Sequence, residues 1–82
     1  MVADSSGTYT RIIRILSDYL GPASERFLDR QIAFHLEKKP KNLTAQDYAK
    51  LTEWIRVSLG LITQDKRMVD EAVARIKKVT PP

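Results

Sequence analysis

One histidine, His35, and no cysteine stand in the 82 residues, so paired-histidine metal sites, histidine relays and thiolate chemistry are excluded at the outset. The carboxylates offer little more. Asp70 and Glu71 are adjacent, and neighbours on a helix diverge by about 100°, so the two cannot flank one substrate as an acid and a base. Glu71 stands four residues from both Arg67 and Arg75, the spacing of surface ion pairs. The serines and threonines have no basic partner within sequence reach, and Gly7, Gly21 and Gly60 form no phosphate-cradling loop. The expectation is a chain with no catalytic residue, no metal site and no cofactor.

"HLEK", His35 to Lys38, resembles the phosphotransfer-domain motif, in which a histidine on a four-helix bundle accepts phosphate and a lysine one turn later stabilises it. That motif normally continues with a glycine that leaves the imidazole exposed, whereas Lys39 and Pro40 follow here. His35 also falls between Leu28, Ile32 and Leu36 on an apolar arc. That placement favours a structural or half-buried histidine over a phosphoacceptor.

Fourteen Lys and Arg against ten Asp and Glu give a net charge of +4, which invites a nucleic-acid reading. The excess lies mainly in the second half: residues 1–40 hold six basic and five acidic side chains, and residues 41–82 hold eight and five. Most of it is interspersed with acids, as on an ordinary solvated surface. Two basic groups remain. Lys38, Lys39 and Lys41 cluster around Pro40, and Arg75, Lys77 and Lys78 fill the end of the last helix, where the macrodipole favours cations by about 0.3–1 kcal/mol. The first group could touch phosphates. No basic residues interleave with aromatics along a strand, however, and the short joints lack a projecting recognition helix, so nucleic-acid binding is the alternative rather than the leading reading.

The most specific signal is on the third helix. Its core stripe is Tyr48, Leu51, Ile55 and Leu59, with Ile62 at its end, yet Trp54, Val57 and Leu61 form a second apolar row, turned roughly 80 to 140° from that stripe. A helix apolar on two sides needs two neighbours. Either it lies centrally among the other helices, or the row docks a partner, another protein or a second copy of this chain as a homodimer.

The elements that carry these residues follow from apolar period and punctuation. Residues 1–7, "MVADSSG", are small and polar and read as a flexible lead-in. From Thr8, Tyr9, Ile12, Ile13, Leu16, Tyr19 and Leu20 recur at helical spacing, with Arg11, Arg14 and Asp18 opposite. Gly21 then takes the position where a left-handed backbone costs glycine almost nothing, and Pro22 opens the next helix with its φ already helical. Ala23, Phe27, Leu28, Gln31, Ile32, His35 and Leu36 are expected to face inward, with Phe34 on the flank. Pro40 ends that helix. Thr44 and Asp47 make a capping box, and Leu43 is placed to staple onto Tyr48. Gly60 is expected to end the third helix and Thr63 to cap the fourth. There Val69, Ala72, Val73 and Ile76 face inward, with Met68 and Val79 at the margin.

"LSDYLGPASERFLDR", with the weaker apolar pattern through "LTEWI" and the last helix, resembles a small helical domain at the C-terminal end of some bacterial signalling proteins, among them serine/threonine kinases and proteins of the roadblock/light-chain type. There a tyrosine or other apolar residue, Leu or Ile, Gly and Pro join two helices, as Tyr19, Leu20, Gly21 and Pro22 do here. Within these 82 residues no kinase or roadblock domain precedes that corner, where the pattern would lead one to expect it. The resemblance implies a non-catalytic accessory or interaction domain.

The expectation is therefore one all-α domain over residues 8–80, a compact four-helix bundle or orthogonal four-helix array. With no cysteine, its limited hydrophobic core holds the fold unaided. No apolar run approaches the roughly 20 residues that cross a bilayer, and no signal-like start is present, so a cytoplasmic protein without a membrane partner is expected. The function expected is protein–protein interaction in bacterial signalling or regulation, through Trp54, Val57 and Leu61.

Overall fold

A computed structural model describes residues 6–36, 38 and 43–80, all helical or connecting, with no strand among them. The helices are α1, Ser6–Leu20; α2, Ser24–His35; α3, Ala45–Ile62; and α4, Lys66–Val79. A 3-10 turn, Gly21–Ala23, joins α1 directly to α2. The chain thus runs as three continuous helical stretches, the first bent at its middle, where four separately connected helices were expected. The radius of gyration is 11.8 Å, against about 11.7 Å for a compact chain of this length.

The bend has a backbone cause. Gly21 takes φ 60°, a left-handed conformation that costs other residues about 1–2 kcal/mol. Pro22 follows in the first turn of the 3-10 segment, where its missing amide hydrogen is no loss. Hydroxyl groups then tie the corner: Ser17 Oγ donates to the Ile13 carbonyl at 2.7 Å and lies 3.0 Å from Ser24 Oγ, which is buried. Near the other end of the pair Tyr9 donates to Asp29, so α2 folds back along α1. Burial and that hydrogen bond hold the Tyr9 phenol well above its ordinary pKa.

The core forms where the four apolar stripes meet. Ile12, Leu16, Leu28, Leu51, Ile55 and Leu59 are fully buried, and Val69, Ala72, Val73 and Ile76 supply the inward side of α4. Ile15 joins them, and Tyr9, Ile13, Tyr19, Leu20, Phe27 and Leu36 pack at the margin. α1 packs on α2 and α4, and α3 packs on the same two. Polar clasps fix the pairs: Tyr19 donates to Glu71 at 2.7 Å and accepts from Arg75 at 3.1 Å, while Arg75 also meets Asp18 at 2.8 Å. The Tyr19 phenol is held above its ordinary pKa by burial and by Glu71, partly offset by Arg75.

Several local expectations are corrected. The helix begins at Ser6, inside the segment read as lead-in; residues 1–5 lie outside the described residues. Ala23 is exposed, because the 3-10 turn rotates it off the inward side of α2. Gly60 does not end α3. The helix continues to Ile62, and the Thr63 amide bonds back to Leu59. Ile62, projecting from the last turn, is 58% exposed. The cap of α4 is Asp65, which accepts from the Met68 amide at 3.1 Å, while Thr63 Oγ1 accepts from the Asp65 amide. Glu71 pairs with Tyr19 rather than Arg67 or Arg75, since a neighbouring helix offers a phenol within reach. The capping box at Thr44 and Asp47 forms as expected.

Candidate protein-interaction face

Three side-chain hydrogen bonds tie the start of α3. The Thr44 amide donates to Asp47 Oδ2 at 2.9 Å, the Asp47 amide donates to Thr44 Oγ1 at 3.2 Å, and Lys38 Nζ donates to Asp47 Oδ2 at 2.7 Å. These donors, Lys38 first, hold the Asp47 carboxyl below its ordinary range despite its burial. Within the core Tyr48 is buried, and Thr52 Oγ1 donates back to the Tyr48 carbonyl at 2.8 Å. From this anchored start the helix rotates 100° per residue. Tyr48, Leu51, Ile55 and Leu59 turn inward, which sends Trp54, Val57 and Leu61 to the other side.

Trp54 is 40% exposed, Val57 51% and Leu61 84%. Among the described residues Val57 and Leu61 are therefore left open by α1, α2 and α4, while Trp54 is partly covered by the end of α2. The His35 ring lies parallel to the Trp54 indole with centroids 3.7 Å apart. His35, the last residue of α2, is exposed, so the inward, half-buried placement expected from its arc is corrected: the helix stops there, and the ring lies against the Trp54 indole instead. One turn deeper in the same seam Ser58 Oγ donates to Gln31 Oε1 at 2.8 Å, which accounts for the buried Gln31.

Phe34 is 72% exposed and lies two turns beyond Phe27, on the flank of α2 that turns toward α3. Sequence reading set Phe34 aside as a flank residue.

The basic candidates separate. Lys38 is committed to Asp47, and Arg75 to Asp18 and Tyr19. Hydrogen bonds to Tyr19 and Asp18 hold the Arg75 pKa above its ordinary value. Lys77 and Lys78 are exposed in the last turn of α4. Lys39 and Lys41 lie outside the described residues.

A cleft of about 430 Å³ lies where α3 passes into α4, between Arg56, Gly60, Thr63 and Lys66. An ion pair of Arg56 with Asp70 at 2.9 Å forms one wall. Asp70 and Glu71 diverge, one to Arg56 and the other to Tyr19. Among the described residues no three His, Asp or Glu stand together in a way that could hold a metal ion, and no helix is long and apolar enough to cross a membrane. Comparison with protein-family models, with curated proteins and with solved structures finds no match.

Proposed function

We propose that the chain is a non-catalytic protein–protein interaction module, a four-helix bundle acting in the cytoplasm in bacterial signalling or regulation, whose contact surface is the outer side of α3. The single observation that carries this reading is the exposure of Trp54, Val57 and Leu61 on a helix whose opposite side is fully buried. Apolar side chains set in one row on a rigid element cost solubility unless something covers them, and tryptophan is enriched among residues that dominate interface energies. The signalling context rests on the resemblance at Tyr19, Leu20, Gly21 and Pro22. The bundle is supported by the cyclic packing, in which each helix touches its two neighbours in chain order and α1 meets α4.

Nucleic-acid binding through the two basic groups has less support, because Lys38 and Arg75 already serve internal ion pairs. Phosphotransfer through His35 has less support too, because the imidazole is stacked face to face on Trp54.

The test compares the parent chain with Trp54→Ala and Leu61→Asp. Both variants keep the helical circular dichroism of the parent, and both lose capture of the native binding partner from a lysate of the source cells. If both unfold instead, the row belongs to the core and the contact surface is wrongly placed. Filter binding to RNA and DNA at two salt concentrations checks the rival, which requires a steep loss of affinity with salt.

A further inference from the structure

The joint between α1 and α2 differs from a continuous helix at one residue. Leu20 (φ −109°, ψ −9°), Ala23 (φ −79°, ψ −7°) and Ser24 (φ −61°, ψ −43°) all take right-handed helical backbone, and Pro22 stands inside the 3-10 turn. Within the joint only Gly21 is left-handed, at φ 60°. Turning that one residue to right-handed backbone would run Ser6–His35 as a single helix of thirty residues, about 45 Å long.

Such a straight form cannot close on itself. α1 is joined to the other helices only through Gly21–Ala23, and its buried Ile12 and Leu16 face the core that it shares with α2 and α4. Straightening carries that stripe away and bares the place it leaves. A second copy in the same form matches both surfaces: its vacated core takes the first chain's α1, and the exchange is mutual. The contacts of α1, among them Tyr9 with Asp29, Tyr19 with Glu71 and Asp18 with Arg75, would then form between the two chains.

What opposes the exchange is written at the joint. A proline inside a helix has no amide hydrogen to donate, its ring meets the carbonyl of the fourth residue before it, here Asp18, and it disfavours helical backbone at the residue before it, here Gly21. Glycine in turn admits the left-handed corner without the penalty that a side chain brings. The Ser17 and Ser24 hydroxyls lie 3.0 Å apart across the corner. On one straight helix the two residues would be separated by about 10.5 Å. We propose that Gly21 and Pro22 form a two-part lock, glycine admitting the bend and proline obstructing the straight helix, which holds each chain on its own α1 against a dimer in which two copies exchange α1. The lock operates whatever the outer side of α3 contacts.

Gly21→Ala/Pro22→Ala removes both parts. A dimer contains two joints, so a change in the ratio of straight to bent enters its association constant squared. Proline obstructs by on the order of a hundredfold per joint and a left-handed alanine adds about tenfold, so association of the double variant should be roughly a millionfold tighter than that of the parent. Sedimentation equilibrium is expected to show a dimer at concentrations where the parent is a monomer, with helical circular dichroism retained. Distance then identifies the exchange. The chain has no cysteine, so Arg11→Cys and Arg30→Cys, at exposed positions of α1 and α2, take spin labels there alone. With labelled chains diluted into unlabelled ones, the labels stay close in the parent, where packed helix axes lie about 8–10 Å apart, and move to about 29 Å along the straight helix of the double variant. A double variant that remains a folded monomer overturns the lock. So does a dimer whose labels stay close, because it forms without exchange, and so does a parent that already shows the long separation. Should the double variant lose its helical circular dichroism, Pro22→Ala with Gly21 retained decides: association about ten-thousandfold tighter than the parent's sustains the lock, and unchanged association overturns it.

Discussion

Gly21 turns the chain with a φ of 60°, and the space around it isolates the cause. A methyl group placed there would meet no atom within 4 Å, so a substitution is felt through the backbone alone. Gly21→Val is expected to cost about 1–2 kcal/mol and Gly21→Asn less, since asparagine tolerates left-handed backbone; urea denaturation measures both. Equal stability of Gly21→Val and the parent would contradict the left-handed corner. This residue was legible because glycine before proline, between two apolar helical periods, has few other uses. His35 was not. Its angle on α2 matches Leu28 and Ile32, but helical angle predicts burial only while neighbouring elements continue alongside, and α2 ends at that residue. What the imidazole meets instead is an indole nineteen positions later. His35→Ala should expose that ring, shift the tryptophan emission to the red and change stability by no more than about 1.5 kcal/mol. Unaltered emission would show that the stack does not persist in solution.

The helix ends divide into those written locally and those decided by packing. The start of α3 is local: Thr44 and Asp47 satisfy each other's amides across one turn, so Thr44→Ala should cost about 1 kcal/mol in a thermal or urea melt. Lys38 adds what spacing does not reveal, a donor from the preceding connection that lowers the Asp47 pKa from 3.8. A carboxyl whose folded pKa lies below its unfolded one contributes stability that is fully present above the unfolded value and is lost as the pH falls through the folded value. Stability should therefore decline below about pH 4, and Asp47→Asn, less stable at neutral pH, should show a shallower decline in chemical denaturation across that range. An identical acid limb in the variant would remove Asp47 from the account. The end of α3 is a matter of packing. Glycine inside a helix costs about 1 kcal/mol relative to alanine, a penalty rather than a stop, and continued hydrogen bonding to Thr63 outweighs it at Gly60. Thr63 and Asp65 are both good caps by residue type. Only the direction of the chain toward α4 selects Asp65. Glu71 likewise had two arginines at intrahelical spacing, and a phenol on α1 prevailed because it approaches from outside the helix.

Across the whole molecule the decisive property of α3 is that one side is closed and the other is open. The inward positions Ile12, Leu16, Leu28, Ile32, Leu51, Ile55, Leu59, Val73 and Ile76 were legible from period, whereas buried Ile15 was not, and Ala23 and His35 share the period yet are exposed. The open side was legible only as a question, since a second apolar row fits a central helix as well as a contact surface. The ring of packing answers it: α3 touches α2 and α4 and lies across from α1, so one of its sides has no helix to meet. Two leucines two positions apart separate these environments. Leu59 is fully buried and Leu61 is 84% exposed. Truncating a buried leucine removes its transfer free energy and leaves a cavity, so Leu59→Ala should destabilise by about 2–5 kcal/mol, while Leu61→Ala should stay within about 0.5 kcal/mol. Paired urea titrations of the two variants compare the sides on one helix, with the same residue type and the same substitution. Should Leu61→Ala cost as much as Leu59→Ala, the outer side of α3 is enclosed in solution, and the row of Trp54, Val57 and Leu61 is not open to a partner. Should the asymmetry hold, the leucine side chain at position 61 contributes little to folding, and its apolar surface is left free for binding.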